Sequence, residues 1–376
     1  MRALIFSWAF AGVLIGSFST TSAADPPKTL EIGDAAPDFK LPGVDDKTYT
    51  LNSFANAKLL LVIFTCNHCP TAQAYEDRIL KLNADYQDRG VKLIAISPND
   101  DLAVRLDELG YTDVGDSLAD MKLRAKERDF QFPYLYDGET QTASRAFGVV
   151  ATPQVFLFDA DRKLRYIGRI DNSDVKEVTS HDARNALDAL LAGKPVPVEK
   201  TRTFGCSTKW AEKRSEATAS LEKWNKEPVT LNTLDEAALT KLMKNEGDQY
   251  LLINVWATWC GPCVKELPEF VTIHRMYRHR KLKLITISLD ETDQRADVLK
   301  MLQDKHVAAE NYLSAINEKD RLADLIDPKW QGPLPHTVLV GPGAKVIYRK
   351  NGPIDPLELR RAIVGQLGRT YASRGK

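Results

Sequence analysis

The sequence predicts an α/β protein of two similar domains, each with a central mixed β-sheet flanked by helices. Two Cys-x-x-Cys pairs, Cys66–Cys69 and Cys260–Cys263, carry this prediction. Each pair follows a short apolar run typical of a buried strand, and each precedes apolar residues at helical spacing. The chain of 376 residues, 43% of them apolar, is long enough for two domains that each bury a core.

The first domain is predicted to span residues 25–197. Its predicted elements are strands Leu59–Phe64 and Val91–Ile96, a helix after Cys69, a polar helix over Met121–Phe130, a hairpin of Val155–Phe158 and Leu164–Ile170, and a final helix Asp182–Leu191. A strand–helix–strand half followed by a hairpin and a helix gives a mixed sheet that is covered on both faces.

The second domain, residues 228–376, repeats this order. Its predicted elements are strands Leu251–Trp256 and Leu282–Ser288, the helix after Cys263, a hairpin of Thr337–Val340 and Val346–Arg349, and a final helix Leu357–Leu367. The repetition places both cysteine pairs at the same strand-to-helix junction.

A charged connector, residues 198–227, joins the two domains. Trp210, Ala217, Leu221 and Trp224 form an apolar stripe along it at helical spacing. We expect a helix that docks on one or both domains, and a solvated helical spacer is the alternative.

The N-terminus, residues 1–24, is typical of a secretory signal peptide. The apolar stretch Ala3–Phe18 follows Arg2, and the small residues of Ser19–Ala24 suit cleavage after Ala23 or Ala24. We therefore expect a periplasmic or secreted protein with no stable membrane insertion after cleavage, and a retained anchor is the alternative. Acidic and basic residues number 51 each, so the charge favours no nucleic-acid partner.

The position of the cysteine pairs suggests their chemistry. The leading cysteine of each pair is expected near a helix N-terminus, where free N–H groups and the helix dipole stabilise a thiolate. The second cysteine, one turn later, can then resolve a mixed disulfide. This chemistry needs no cofactor or metal beyond the cysteine pairs.

Two stretches carry a resemblance to known families. The run Asn254–Pro268, which contains Trp-Cys-Gly-Pro-Cys, resembles the TlpA/ResA class of exported thiol-disulfide oxidoreductases. Ala36–Phe39 and Phe64–Pro70 resemble the redoxin (AhpC/TSA-like) branch of the same thioredoxin superfamily. The resemblance implies two thioredoxin-like domains in tandem, and an enzyme that exchanges disulfides with protein dithiols. A thiol electron donor at the membrane is a possible further partner, and the sequence does not name it.

The resemblance also assigns roles to individual residues. It implies that Cys66 and Cys260 are nucleophiles and that Cys69 and Cys263 resolve the mixed disulfides. Pro153 and Pro335 match the cis-proline that faces the dithiol in this family. The preceding residues, Thr152 and Leu334, would then offer their backbone to an incoming peptide.

The two sites depart from thioredoxin in different ways. The buried acid of thioredoxin is replaced by Leu60 in the first domain and by Asn254 in the second. Glu266 matches an acid of the TlpA/ResA class and is the predicted base for the resolving thiol, with a solvated helix glutamate as the alternative.

His68 lies between the cysteines of the first pair. Its charge would favour the Cys66 thiolate and make the first pair the more oxidising one. Electrons would then pass from Cys260/Cys263 to Cys66/Cys69. A surface histidine of little influence is the alternative.

Other functions remain open at this stage. Cys206 is either a relay between the domains or a buried free cysteine. A peroxiredoxin-like peroxidase is the nearest rival, although aligning its cysteine on Cys69 puts Val62 and Cys66 where that family has proline and threonine. A metal carrier would use the two pairs with His68 and His336, and the first domain could also serve only to bind partners.

Overall fold

The computed structural model describes residues 27–371. The predicted signal peptide, residues 1–24, lies outside this range. Within the range, no helix has both the length and the apolar character that a membrane span requires.

The first domain contains the predicted mixed sheet. Its strands are β1 (Lys40–Pro42), β2 (Thr48–Thr50), β3 (Leu59–Phe64), β4 (Val91–Ser97), β5 (Tyr134–Tyr136), β6 (Ala151–Thr152), β7 (Gln154–Phe158) and β8 (Leu164–Gly168). Its helices are α1 (Pro70–Tyr86), α2 (Leu118–Glu127), α3 (Thr142–Phe147) and α4 (Asp182–Leu191). The sheet order is β5-β4-β3-β7-β8, in which β3, β4 and β5 are parallel and β7 and β8 antiparallel.

The central strand β3 explains why this sheet is covered on both faces. All six of its residues are buried, and successive side chains point to opposite faces of a strand. Leu59, Leu61 and Ile63 pack against α1, α2 and α4 on one face. Leu60, Val62 and Phe64 pack against α3 and the N-terminal hairpin on the other.

The second domain repeats this plan with one more strand in its central sheet. Its strands are β10 (Asn232–Leu234), β11 (Tyr250–Trp256), β12 (Leu282–Ser288), β13 (Glu310–Ser314), β14 (His336–Gly341) and β15 (Lys345–Asn351), and its helices are α6 (Glu236–Lys244), α7 (Gly261–Met276), α8 (Arg295–Asp304), α9 (Lys319–Ile326) and α10 (Pro356–Leu367). The sheet order is β10-β13-β12-β11-β14-β15. The predicted α/β fold with two tandem domains is confirmed.

The connector docks on both domains. This confirms the expectation of a docked helix over the alternative of a solvated spacer. It contains β9 (Cys206–Ser207) and α5 (Arg214–Asn225). Trp224 is buried beneath Arg278 of the second domain, and Arg145 of the first domain lies over the Trp210 ring. Leu221 is 37% exposed, so the predicted stripe is wrong at that position.

A loop of the first domain packs directly against the second domain. This docking loop, residues 105–113, places Leu106 and Leu109 against the second core. The Tyr277 hydroxyl donates a hydrogen bond to the Thr112 carbonyl over 2.8 Å. The buried Asp113 carboxylate accepts hydrogen bonds from Arg361 and Arg369 of α10 and the residues that follow it. Because the C-terminal end of α7 forms this contact, its N-terminal end points away from the first domain.

Candidate active sites

The second site is formed by the Cys260–Cys263 pair at the junction of β11 and α7. The helix begins at Gly261, and Cys260 is its N-cap residue. The Cys260 sulfur accepts a hydrogen bond from the Cys263 N–H over 3.4 Å, and the two sulfurs form a disulfide. The prediction that the leading cysteine lies at a helix N-terminus is confirmed here, so free N–H groups of the first turn face its sulfur.

A carboxylate holds the loop before this pair. Asp290 accepts hydrogen bonds from both the backbone N–H and the hydroxyl of Thr258, and from the hydroxyl of Ser288. Asp290 follows strand β12, whose carboxyl end lies beside that of β11 because the two strands are parallel. The loop geometry is therefore fixed by a residue about thirty positions later in the chain, a contact that sequence reasoning missed.

The second site is open to a partner. Trp259, directly before Cys260, is 65% exposed. The Leu334–Pro335 peptide bond is cis, and within residues 27–371 no strand pairs with Leu334. The backbone before the cis-proline is therefore available to an incoming extended peptide.

Glu266 is buried, unlike a solvated helix glutamate. Its carboxylate accepts hydrogen bonds from the Asn254 side chain over 3.1 Å and from the Ile354 N–H over 3.0 Å. Burial raises the pKa of Glu266 above its usual value, although these two hydrogen bonds oppose the shift. A carboxylate whose pKa is raised is a better proton acceptor than an ordinary surface acid.

The first site differs from the second in where its helix begins. Helix α1 begins at Pro70, so the N-cap residue is Cys69 and not Cys66. The Cys69 sulfur accepts a hydrogen bond from the Ala72 N–H over 3.5 Å. The prediction that the leading cysteine lies at the helix N-terminus is therefore wrong for the first pair. The proline that follows Cys69 suits the first helical position, because it needs no N–H there, so the helix begins only after the second cysteine of the pair.

His68 is buried and ion-paired, so the alternative of a surface histidine is wrong. Its Nδ1 lies 2.5 Å from Oδ2 of Asp116, whose Oδ1 accepts the backbone N–H groups of Asn67 and His68. Asn99 donates a further hydrogen bond to Asp116 over 2.7 Å. Burial alone would lower the pKa of His68, but the Asp116 carboxylate raises it above its usual value. The imidazolium form is thus stabilised beside the dithiol.

The negative charge of the first pair is favoured on Cys69. Burial alone would raise the pKa of this thiol, but hydrogen bonds with Cys206 and Cys66 and the charge of His68 lower it well below its usual value. Burial and the neighbouring Cys69 raise the pKa of Cys66. The sequence predicted the thiolate on Cys66, whereas the structure favours it on Cys69, where Cys206, Cys66 and His68 act together and the Ala72 N–H adds a smaller contribution.

Thr152 and Pro153 lie against the first pair. The Thr152–Pro153 bond is cis. The Thr152 hydroxyl lies 3.1 Å from the Cys66 sulfur, and its carbonyl oxygen lies 3.4 Å from the Cys69 sulfur. Cys206 of the connector packs against both cysteines, and its backbone pairs with Thr152. The structure thus brings together all the residues that sequence reasoning assigned to the first site, and adds Cys206.

Metal-ligating groups occur in the first site. The ligand atoms of Cys66, His68 and Asp116 lie within 4.8 Å of one another. Both Asp116 oxygens already accept hydrogen bonds from the Cys-x-x-Cys loop or Asn99, so a metal ion would have to replace them. In the second domain, His336 bonds Asn351 through Nδ1 and stacks on Trp330.

Asp116 and Asn99 are the functional residues that sequence reasoning missed in the first site. Neither lies near the cysteines in sequence, and neither belongs to a recognisable motif. Asn99 follows the carboxyl end of β4, beside that of β3, which is the one signal that could have placed it. Nothing in the sequence indicates that the loop containing Asp116 returns to the carboxyl ends of β3 and β4.

Family models match both domains. The Redoxin model matches residues 31–187, and the AhpC/TSA family model matches residues 225–349. The chain belongs to the thioredoxin superfamily. Each of its two redoxin-like domains contains one Cys-x-x-Cys pair and one cis-proline.

Individual relatives cover parts of the chain. Thiol-disulfide oxidoreductase ResA of Bacillus thuringiensis is 28% identical over 112 residues, which are 28% of this chain and 56% of ResA. The chain thus spans about half the length of the curated relatives it matches. A hypothetical protein of Sinorhizobium meliloti with a solved structure is 33% identical, with a TM-score of 0.44, over 49% of this chain and 97% of that one. A thiol:disulfide interchange protein DsbE of Chlorobium tepidum is 19% identical, with a TM-score of 0.33, over 44% of this chain and 98% of that one.

Proposed function

We propose that this protein is an exported thiol-disulfide oxidoreductase that exchanges disulfides with protein dithiols through two unequal Cys-x-x-Cys pairs. The observation that carries the proposal is the second site, which combines Cys260 at the cap of α7, the cis peptide bond before Pro335 and an open approach. The naming of the ResA relatives as thiol-disulfide oxidoreductases supports it.

The second site can reduce a partner disulfide in two steps. The Cys260 thiolate attacks one sulfur of the partner, a mixed disulfide forms, and the partner's other sulfur leaves and takes up a proton. Cys263 then loses its proton and attacks the Cys260 sulfur, which closes the disulfide and releases the second partner thiol. Glu266 is the proposed acceptor of the Cys263 proton, because it is buried in the same helix and its pKa is raised.

Substrate binding is proposed at the backbone that precedes each cis-proline. Leu334 is half-buried and unpaired with any strand that the structure describes, so an extended partner segment could pair with it. In the first domain, Thr152 occupies the equivalent position and is already paired with the connector. We therefore assign most of the exchange with external proteins to the second site.

The first pair is proposed to be the more oxidising one. A lowered thiol pKa stabilises the reduced form, and the His68–Asp116 pair beside Cys69 acts in that direction. Electrons would then pass from the second pair to the first. Cys263 lies in the first turn of α7, and Met276, which lines one cavity with His68 and Cys206, lies about 20 Å further along the helix axis. This transfer therefore requires a carrier dithiol, either a partner protein or a second copy of the chain, and a thiol donor at the membrane would reload the second pair.

Reduction of a disulfide-containing protein tests the function. With a small dithiol as electron source, the full chain is expected to reduce the substrate catalytically. The rate for Cys260→Ser/Cys263→Ser is expected to be at least ~100-fold lower. Cys66→Ser/Cys69→Ser serves as the matched variant and should retain most of it. Equal rates for the parent chain and the Cys260→Ser/Cys263→Ser variant would refute the proposal.

A thiol peroxidase is the second candidate, favoured by one observation. Cys69, the position that aligns with the peroxidase cysteine, caps a helix and has a lowered pKa. Peroxide consumption that is lost in Cys69→Ser and retained in Cys260→Ser/Cys263→Ser would establish this activity. Consumption no faster than that of free cysteine would exclude it.

A further inference from the structure

The connector strand β9 occupies the position at which a peptide substrate would pair with the first domain. Cys206 and Ser207 run antiparallel to Thr152 and Ala151, with Cys206 directly opposite Thr152. Thr152 is the residue that precedes the cis-proline. Main-chain pairing to an exposed edge is the way in which extended peptides are commonly bound. The chain therefore supplies its own segment to this edge.

The residue before Cys206 allows this close approach. Gly205 has a φ of 145°, and a Cβ at this position would overlap the Thr152 carbonyl oxygen. Only glycine adopts this backbone without strain. The connector thus passes against the site more closely than a chain with a side chain at this position could.

The residues after Cys206 fix the strand on its other side. The Lys209 N–H donates to the Asn99 side-chain oxygen over 2.9 Å, and the Lys209 ammonium lies 2.6 Å from Glu108. The Lys209 carbonyl accepts hydrogen bonds from the Asp100 N–H and the Gln141 side chain. Asn99 also bonds Asp116, so the strand is anchored to the same network that holds the Cys-x-x-Cys loop.

Cys206 differs from the other two cysteines in its access to solvent. Cys69 is fully buried and Cys66 is 3% exposed, whereas Cys206 is partly exposed. Cys206 packs against the cluster formed by Cys66, Cys69 and Ala72. It also lines a cavity of about 300 Å³ between the domains, whose other walls include His68, Lys209, Met276 and His279. A partner thiol thus reaches Cys206 more readily than it reaches the buried pair.

We propose that Cys206 is a third redox-active cysteine, which forms a disulfide with Cys69 and exchanges it with partner dithiols on behalf of the buried pair. This inference rests on the proposed function, since it requires that Cys66 and Cys69 form a disulfide. It replaces the alternative of an inert free cysteine.

The exchange balances without an added oxidant. Starting from the Cys66–Cys69 disulfide, Cys206 loses its proton and attacks the Cys69 sulfur. The Cys66–Cys69 bond breaks, Cys66 leaves with the electron pair and takes up a proton, and one disulfide has replaced another. A partner thiolate then attacks the Cys206 sulfur, and Cys69 leaves as a thiolate. The partner's second thiol attacks its own mixed disulfide, which releases Cys206, oxidises the partner and leaves all three cysteines reduced.

A trapping experiment on the full chain tests the first step. In a Cys260→Ser/Cys263→Ser/Cys66→Ser background, only Cys69 and Cys206 remain, and oxidised glutathione is expected to yield the intramolecular Cys69–Cys206 disulfide by mass spectrometry. The control adds Cys206→Ser with Ser207→Cys. This moves the thiol to the opposite face of the strand, since side chains alternate, and should give glutathione adducts instead. Cross-linking in both variants, or in neither, would overturn the proposal.

An exchange assay separates this inference from the proposed function. In the Cys260→Ser/Cys263→Ser chain, the Cys66–Cys69 disulfide is expected to oxidise an unfolded dithiol protein, and Cys206→Ser is expected to slow this reaction at least tenfold while the disulfide still forms. An unchanged rate in Cys206→Ser would refute the shuttle role alone. Failure of every variant to form or exchange the Cys66–Cys69 disulfide would instead refute the proposed function of this domain.

Discussion

Asp116 determines the charge beside the first dithiol. It bonds the His68 ring and the backbone of the Cys-x-x-Cys loop, and it is fully buried with them. The carboxylate raises the pKa of His68 against the opposing effect of burial, and the imidazolium form in turn favours a thiolate on Cys69. Asp116 therefore affects Cys69 through His68, and with burial and Cys69 its charge also raises the pKa of Cys66.

Asp116→Asn tests this tuning. The amide oxygen can still accept the loop N–H groups, but it no longer stabilises the imidazolium, so the pKa of His68 should fall. We expect the pKa of Cys69 to rise and the potential of the first pair to fall by at least ~30 mV, which corresponds to a tenfold change in its equilibrium constant. The thiolate absorbance as a function of pH and a glutathione redox titration measure the two quantities. If the Cys69 pKa and the reduction potential are both unchanged in a folded variant, the His68–Asp116 ion pair does not tune the first dithiol.

Glu266→Gln tests the proposed base of the second site. Glutamine can keep the hydrogen bonds with Asn254 and Ile354 but cannot accept a proton. We expect the resolving step to slow by roughly 100-fold, as for loss of a general base, and mixed disulfides through Cys260 to accumulate. In the parent chain this step should gain rate as pH rises through a pKa above the ordinary glutamate value of 4.5. Stopped reactions analysed by mass spectrometry show whether the mixed disulfide persists; its absence would argue for another proton acceptor.

At the scale of secondary-structure elements, strand β9 distinguishes the two sites. The two cis-prolines have equivalent places in their sheets, yet only Thr152 is paired with a strand in the part of the chain that the structure describes. A two-residue strand thus converts one of two similar sites into a closed one.

Gly205→Ala should displace this strand. The new methyl group would overlap the Thr152 carbonyl oxygen, so the connector must move away from the first pair. We expect the alkylation of Cys66 and Cys206 to accelerate at least tenfold. Gly193→Ala is the matched control, because Gly193 also has a positive φ but nothing lies within 4 Å of an added Cβ. Equal alkylation rates in the two variants would show that β9 does not shield the site.

The sequence predicted the long buried strands and missed the short ones. Strands β3 and β12 were predicted with their observed bounds, because runs of consecutive apolar residues are distinctive. Strand β9 was missed, since two residues that pair only with the short strand β6 carry no periodicity and are defined only by their partner. The helix after Cys69 was predicted, but the position of Cys66 at its N-terminus was predicted wrongly, because the choice between Cys66 and Cys69 as cap depends on loop contacts with Asp116.

At the scale of the whole molecule, the docking loop holds the two domains in contact. The buried Asp113 pairs with Arg361 and Arg369 of the second domain, and the same loop leads into Asp116 of the first site. The domain organisation could be predicted from the repeated order of elements. The domain contact could not, because its residues lie far apart in sequence and belong to no shared motif.

The domain contact should weaken in acid. Burial alone would raise the pKa of Asp113, but Arg369 lowers it below its ordinary value of 3.8. A depressed carboxyl pKa contributes stability that is present above the unfolded-state value and is lost as the pH falls through the folded-state value. We expect the thermal stability of the parent chain to fall more steeply below pH 3.8 than that of Asp113→Asn. At neutral pH, Asp113→Asn should lower the free energy of unfolding by about 1.5–3 kcal/mol, as for hydrogen bonds to charged groups. Parallel pH profiles for the two proteins would contradict this assignment.

The inequality of the two dithiols is the central claim, and their reduction potentials test it most directly. The unmodified chain is equilibrated in glutathione buffers of graded potential and alkylated, and the oxidation of each cysteine is measured by mass spectrometry. The account predicts that the first site, in which Cys206 shares the disulfide of the Cys66–Cys69 pair, is half-reduced at a potential at least ~30 mV more positive than that of Cys260–Cys263. Equal potentials, or a more positive value for Cys260–Cys263, would contradict it.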